Sequence, residues 1–97
     1  MEKSETPEAT MQGHFERRVP ADNIARFYHL EILPTLFGGW SLRRSWGRIG
    51  TRGRDWYETF ATEAEALVAA RRLEALKCRR GYVRLPEPLD LPPGQGA

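Results

Sequence analysis

Between Trp40 and Arg54 the chain sets two Trp, five Arg and three Gly within fifteen residues, and no acidic side chain interrupts them. Guanidinium groups such as those of Arg43, Arg44, Arg48, Arg52 and Arg54 fork onto phosphate oxygens, and a Trp face stacks on a base or a sugar. Trp40, Leu42 and Trp46 stand at even spacing, which predicts a strand. From Gly47 onward a Gly recurs at every third position, a pattern no regular strand or helix carries. A tight, positively charged turn is expected there, with backbone that can approach a partner closely. The stretch therefore reads as an anion platform, with Trp46 at the end of a strand as its flat face.

Other chemistry is poorly supplied. The chain has two His and one Cys, so no disulfide can form within it and no zinc set is visible. His14 and His29 can fall on neighbouring strands, but a third ligand is missing. Cys78 reads as a half-buried small apolar residue on a helix. The Gly47-x-x-Gly50-x-x-Gly53 spacing lacks the Lys-Ser/Thr of a phosphate loop. Gly47-Arg-Ile-Gly50 is similar to a KH-type clamp, but that clamp joins two helices and here a strand precedes it. No catalytic residue, metal or cofactor is assigned, and the chain is not expected to be an enzyme.

Charge supports a polyanionic partner. The net charge is only +2, yet residues 12–85 hold 14 basic and 8 acidic side chains, and both ends are acidic. Arg outnumbers Lys 13 to 2, a bias that genome base composition alone can produce, so the weight falls on the clustering at 43–54. No apolar run approaches the ~20 residues of a membrane span, and no signal-peptide pattern opens the chain. With a single Cys, a reducing cytoplasm is the expected location. At 97 residues one domain with a small core is expected, as a monomer.

Several elements must position that stretch. Residues 1–11 are polar and aperiodic and are expected to form a disordered arm. Gly13 to Val19 alternates as a strand, and Pro20 to Ile24 reads as a turn in which Asp22 and Asn23 fold back onto their own backbone. Arg26 to Leu33 is the clearest strand, with Tyr28, Leu30 and Ile32 directed to the core and His29 and Glu31 to water. Pro34 ends it, and a short linker makes a hairpin with the Trp40 strand. Asp55 to Phe60 is a further strand with an aromatic on each face. Trp40 and Trp56 are assigned to the core, because so small a domain needs large apolar side chains.

Thr62-Glu-Ala-Glu65 is a capping box that starts a helix at Thr62. Ala66, Ala69, Ala70, Leu73 and Leu76 fall on one arc, which is expected to lie on the sheet. A thinner arc holds Ala64, Leu67, Val68, Ala75 and Cys78. Gly81 is the expected left-handed stop, and Tyr82 to Leu85 reads as a short last strand or a docking segment. Residues 86–97 are rich in Pro and Gly and are expected to form an extended tail. The fold class expected is α+β: an antiparallel sheet of four to five strands with one long helix on one face.

Arg44-Ser-Trp46-Gly47-Arg48-Ile49-Gly50-Thr51 resembles the signature of the WGR domain, which occurs beside the catalytic region of some poly(ADP-ribose) polymerases and in small bacterial proteins. The likeness continues upstream through Tyr28-x-Leu30-x-Ile32 and Gly39-Trp40-x-Leu42. Downstream it takes in Phe60, Ala66, Leu73, Lys77 and Gly81-Tyr82, so that it covers roughly residues 14 to 85.

In the polymerases the motif Trp stacks on a sugar at a DNA break and nearby basic residues hold the backbone. The resemblance thus implies Trp46 as platform, with Gly47, Arg43, Arg44, Arg48, Arg52 and Arg54 around it. The motif Arg of the polymerases also joins domains, so Arg48 fits either a ligand-facing or a structural role. Catalysis is not implied, since an ADP-ribosyltransferase domain and a zinc finger are both absent. The expected function is a non-catalytic module that binds DNA backbone, ends or nicks. The alternative is a protein-interaction module docking onto a DNA-repair or ADP-ribosylation enzyme. Salt separates the two, because phosphate binding weakens steeply with it.

Overall fold

Alternation of apolar and polar side chains organises the molecule. The computed structural model describes residues 9–86. In chain order the elements are β1 (Met11–Val19), a 3-10 turn (Pro20–Asp22), β2 (Ile24–Pro34), β3 (Trp40–Arg48), β4 (Arg54–Phe60), α1 (Glu63–Arg79) and β5 (Val83–Leu85). All pairings are antiparallel and the sheet order is β4-β3-β2-β1-β5. The first four strands are a meander. β5 then closes the far edge by pairing with β1, Val83 opposite Glu16 and Leu85 opposite His14. The segment from Tyr82 is therefore partly a strand, and the fold is α+β as the sequence predicts. The expected N-terminal arm lies outside the described residues up to residue 8, and the expected tail from residue 87; the arm's last residues instead join the sheet, the Thr10 amide donating to the Ile32 carbonyl and Met11 opening β1.

β2 is the centre of the sheet, and its alternation decides the two faces. Tyr28 lies between Phe15 and Trp46, Leu30 between Gly13 and Arg44, and Ile32 between Met11 and Leu42. Side chains in these rows point to the same side. Phe15, Leu30, Ile32 and Leu42 are wholly buried there, each contributing on the order of 1.5–3 kcal/mol. Ala66 and Ala70 of α1 complete the core at 0% exposure, their small side chains letting the helix sit close on the sheet. Trp40, Trp46, Phe60, Leu67, Ala69 and Leu73 pack around it.

The helix ends follow the local chemistry. Thr62 is extended, and its hydroxyl accepts from the Glu65 amide at 3.2 Å. At the other end Gly81 has φ +99°, its amide donates to the Cys78 carbonyl, and the Tyr82 amide reaches the Lys77 carbonyl at 3.0 Å. That pair of bonds is a Schellman stop. It returns the chain toward β1 and leaves the last helical turn above Tyr28.

Three expectations need correction. β3 continues through Gly47 to Arg48 where a break at Gly47 was expected, because the ladder to β2 pairs Gly47 with Phe27 and Arg48 with Arg26. Trp56 is 54% exposed, since β4 is an edge strand and α1 leaves that part of its face uncovered. Cys78 is exposed on the outer side of α1.

Candidate nucleic-acid interface

Antiparallel connectivity gathers basic side chains at one end of the sheet. The β3–β4 turn with Arg52 and the 3-10 turn after β1 both lie at the end where Arg26 pairs with Arg48. α1 runs back from the other end and brings Lys77 and Arg80 there. The opposite end carries the β2–β3 hairpin tip, Thr35 to Gly39.

Trp46 stands near this basic end of β3 on the helix-facing side, partly buried against the core. Arg44 lies two residues earlier and so on the same side. Arg54 opens β4 directly opposite Trp46, and exposed Trp56 is the ladder partner of Arg44. Arg52 and Arg54 are both exposed. Between this side of the sheet and the last turns of α1 lies a cleft of about 220 Å³, lined by Tyr28, Arg44, Trp46, Leu73, Leu76 and Lys77.

Among the described residues no carboxylate lines that cleft. The Lys77 ammonium sits 4.6 Å from the centre of the Tyr28 ring and 5.4 Å from that of Tyr82, a cation–π arrangement. Burial, and then the nearby charges of Arg80, Arg44 and Arg26, push Lys77 below the usual lysine range. Arg44 reaches Glu58 at 3.8 Å outside the cleft, while its Nε is buried without a hydrogen-bond partner. Burial raises the Tyr28 phenol above its ordinary range. The Arg44 guanidinium beside it acts in the opposite sense, although no hydrogen bond of acceptable geometry reaches the Tyr28 hydroxyl.

The other Arg residues of the stretch divide by face. Arg43 points to the opposite side of the sheet, where Nη1 donates to Glu31 at 2.6 Å and Nη2 lies 3.5 Å from Asp55. The Ser45 hydroxyl donates to Asp55 at 2.5 Å; this bond, with Arg43 and Arg52, holds the Asp55 carboxyl below its ordinary range. His14 and His29 are ladder partners on this same face, their Nδ1 atoms 3.1 Å apart. Among the described residues no group of three metal-ligating side chains forms.

Arg48 donates to the carbonyl and to the side-chain oxygen of Asn23, both at 3.2 Å. Asn23 has φ 57°, and its side chain is used by Arg48 across the ladder, where a bond to its own backbone was expected. Arg48 thereby ties the 3-10 turn to the end of β3.

The glycines serve internal packing. A Cβ on Gly47 would stand 2.7 Å from Gly53 Cα, and one on Gly53 (φ +75°) only 2.3 Å from the Trp46 carbonyl oxygen. Close approach at Gly47 is thus made by its own hairpin partner.

The structure brings Arg44, Trp46 and Arg54 together on one face, with Arg48 at the end of β3 and Arg52 in the adjoining turn, and leaves Arg43 behind the sheet. It adds Tyr28, Lys77 and Tyr82, to which sequence reasoning gave no ligand role. A signal for Lys77 exists: it follows Leu73 by four positions, so a charge continues the sheet-facing arc. Tyr28 carries another, since a hydroxyl at a core position asks for a partner.

The WGR domain profile matches residues 11–88. An uncharacterised protein of Sinorhizobium fredii (strain NBRC 101917 / NGR234), y4dW, is 42% identical over 69 residues, which cover 71% of this chain and 34% of that protein. A crystal structure of a Bacteroides fragilis protein is similar with a TM-score of 0.67 at 25% identity, over 81% of this chain and 20% of that one. This chain therefore spans about a third of the Sinorhizobium relative's length.

Proposed function

The chain belongs to the WGR domain family, a family of nucleic-acid-binding and generally non-catalytic modules, and from that premise we propose that it binds DNA through its backbone and its interrupted ends. Trp46 supplies the face on which a terminal sugar or base stacks, and Arg44, Arg52, Arg54 and Lys77 hold the flanking phosphates. Arg48 acts mainly through Asn23, fixing the turn beside which the strand passes. The observation that carries this reading is that Arg44 of β3 and Lys77 of α1 line one cleft with Trp46, while Arg54 stands opposite Trp46 on β4.

The chemistry needed is recognition alone. Phosphate contacts release condensed counterions, so four of them predict a slope of log K against log salt of about −3 to −4 on duplex DNA. Trp46→Ala removes a stacking surface and no charge. Affinity for nicked and broken duplexes should then fall by about 1–3 kcal/mol with the slope unchanged. Titrations of nicked, blunt and intact duplexes at several salt concentrations test both statements. Binding that ignores salt would defeat the reading.

A protein partner, such as a DNA-repair or ADP-ribosylation enzyme, is the second reading. What favours it is the β2–β3 tip, where Leu36 and Phe37 are 95% and 94% exposed at the end of the sheet away from Trp46.

A further inference from the structure

The two ends of the sheet differ in chemistry, and each carries what the other lacks. At the β2–β3 tip Leu36 and Phe37 are almost wholly exposed, yet the turn that bears them is fixed. The Thr35 hydroxyl accepts from the Phe37 amide at 3.3 Å and from the Gly39 amide at 3.0 Å, and the Thr35 amide donates to the Gly39 carbonyl at 2.9 Å. A turn closed in this way keeps two apolar side chains in water, and little conformational entropy is left to lose when a partner covers them. Gly39 abuts the Phe60 carbonyl, so α1 begins beside the tip with Glu63 and Glu65 in its first turn. Among the described residues of this end, 33–42 and 59–66, there is no Lys or Arg.

The basic end is the complement. Its cleft offers Trp46, Leu73 and Leu76 as apolar walls, with Arg44 and Lys77 as its charges. The volume is about 220 Å³, and an apolar cavity of roughly 150 Å³ accepts a benzene ring, so there is room for one Phe side chain and part of a Leu. We propose that the tip of one copy of this chain docks in the cleft of a second copy, Phe37 against Trp46 and beside Lys77. Glu63 and Glu65 of the first copy then face the exposed Arg52 and Arg54 of the second. The carboxylates beside the tip repel a polyanion or an acidic membrane, so its apolar side chains are matched by a protein surface that carries cations. This goes beyond the nucleic-acid reading and does not depend on it. A copy whose cleft is filled presents no stacking face at Trp46.

Tip and cleft are different surfaces, so the contact is heterologous and propagates from copy to copy. Sedimentation equilibrium of the full chain from about 10 μM to 1 mM covers the range of a small interface. The mean mass should rise with concentration past that of a dimer, and fall as salt is added. Phe37→Ser changes an exposed side chain, so Tm should be unchanged while association weakens at least about tenfold. Leu76→Glu sets a carboxylate in the cleft against those of the incoming tip and should also be monomeric; Lys77→Glu serves as the cleft variant if Leu76→Glu lowers Tm. An equimolar mixture of Phe37→Ser with the cleft variant should form a dimer that grows no further, because one intact tip and one intact cleft meet in it.

A wild-type chain that stays monomeric across this range would overturn the inference and leave the proposed function to its own salt titrations. Association that survives Phe37→Ser would remove the tip from the contact and overturn it as well. Cleft variants that associate as wild type does would put tip against tip, and the docking in the cleft would be wrong. Two monomeric variants that fail to pair when mixed would refute the match of tip to cleft.

Discussion

Arg43 and Arg54 lie on neighbouring strands of one hairpin, yet their replacement should have opposite consequences. Arg43 occupies the face away from α1, bonded to Glu31 at 2.6 Å and 3.5 Å from Asp55. Arg43→Ala removes a charge-assisted bond and leaves Glu31, whose side chain is 17% exposed, without that partner. Such bonds contribute about 1.5–3 kcal/mol when well shielded. Arg43 itself is a third exposed, which lowers the expectation to about 1–2 kcal/mol. For a domain of this size that corresponds to a fall in Tm of roughly 5–15 °C.

Arg54 is exposed beside Trp46. Arg54→Ala should change stability by less than about 0.5 kcal/mol, as surface replacements do. It should also flatten the salt slope of DNA binding by about 0.9. Thermal unfolding and salt-dependent titration of both variants at the same temperature decide the matter. If Arg43→Ala flattens the slope as much as Arg54→Ala with stability unchanged, the division of the Arg cluster between two faces is wrong.

Thr62→Ala should cost about 1 kcal/mol of stability through loss of the cap to the Glu65 amide; duplex binding by the folded variant should match wild type, and a parallel loss of binding would contradict a purely structural role. Gly53→Ala forces a side chain into φ +75° and against the Trp46 carbonyl oxygen, and should destabilise by more than about 2 kcal/mol. Gly50→Ala, at φ +96° with open space around it, should cost about 1 kcal/mol; equal unfolding midpoints for the two would refute the contact argument. Asp55 has a carboxyl held low by Ser45, Arg43 and Arg52, so its stabilising contribution is fully present above the ordinary value of 3.8 and is lost as pH falls through the lowered one. Asp55→Asn should therefore flatten the acid limb of a Tm-against-pH profile below about pH 4, and an unchanged limb would show that Asp55 is not held by its neighbours.

Elements with a local cause were legible in the sequence. Alternation made β2 a strand and assigned Tyr28, Leu30 and Ile32 to the core, Thr62 and Gly81 bounded the helix, and the Ala66–Ala70 arc identified the face that lies on the sheet. These follow from periodicity, capping and the left-handed preference of Gly, all of which act within a few residues. The turn glycines were legible as a turn but not as to their contacts, because the atoms Gly53 must avoid belong to Trp46 and Phe27 across the hairpin.

Tertiary placement decided the rest. Trp40 and Trp56 are alike in sequence, but Trp40 packs against the core while Trp56 is exposed, because only the position of α1 determines how much of β4 is covered. Adjacent Arg43 and Arg44 diverge because consecutive strand residues point to opposite faces, and it takes the buried side of β2 to say which face carries the cleft. Lys77 becomes part of the Trp46 surroundings only when the meander and the returning helix bring together residues about thirty positions apart. The sequence by itself determined the types of side chain available for binding an anion and the elements that carry them. Which of those side chains share one surface depended on long-range packing, since a guanidinium is directed by the strands beside it and not by its neighbours along the chain.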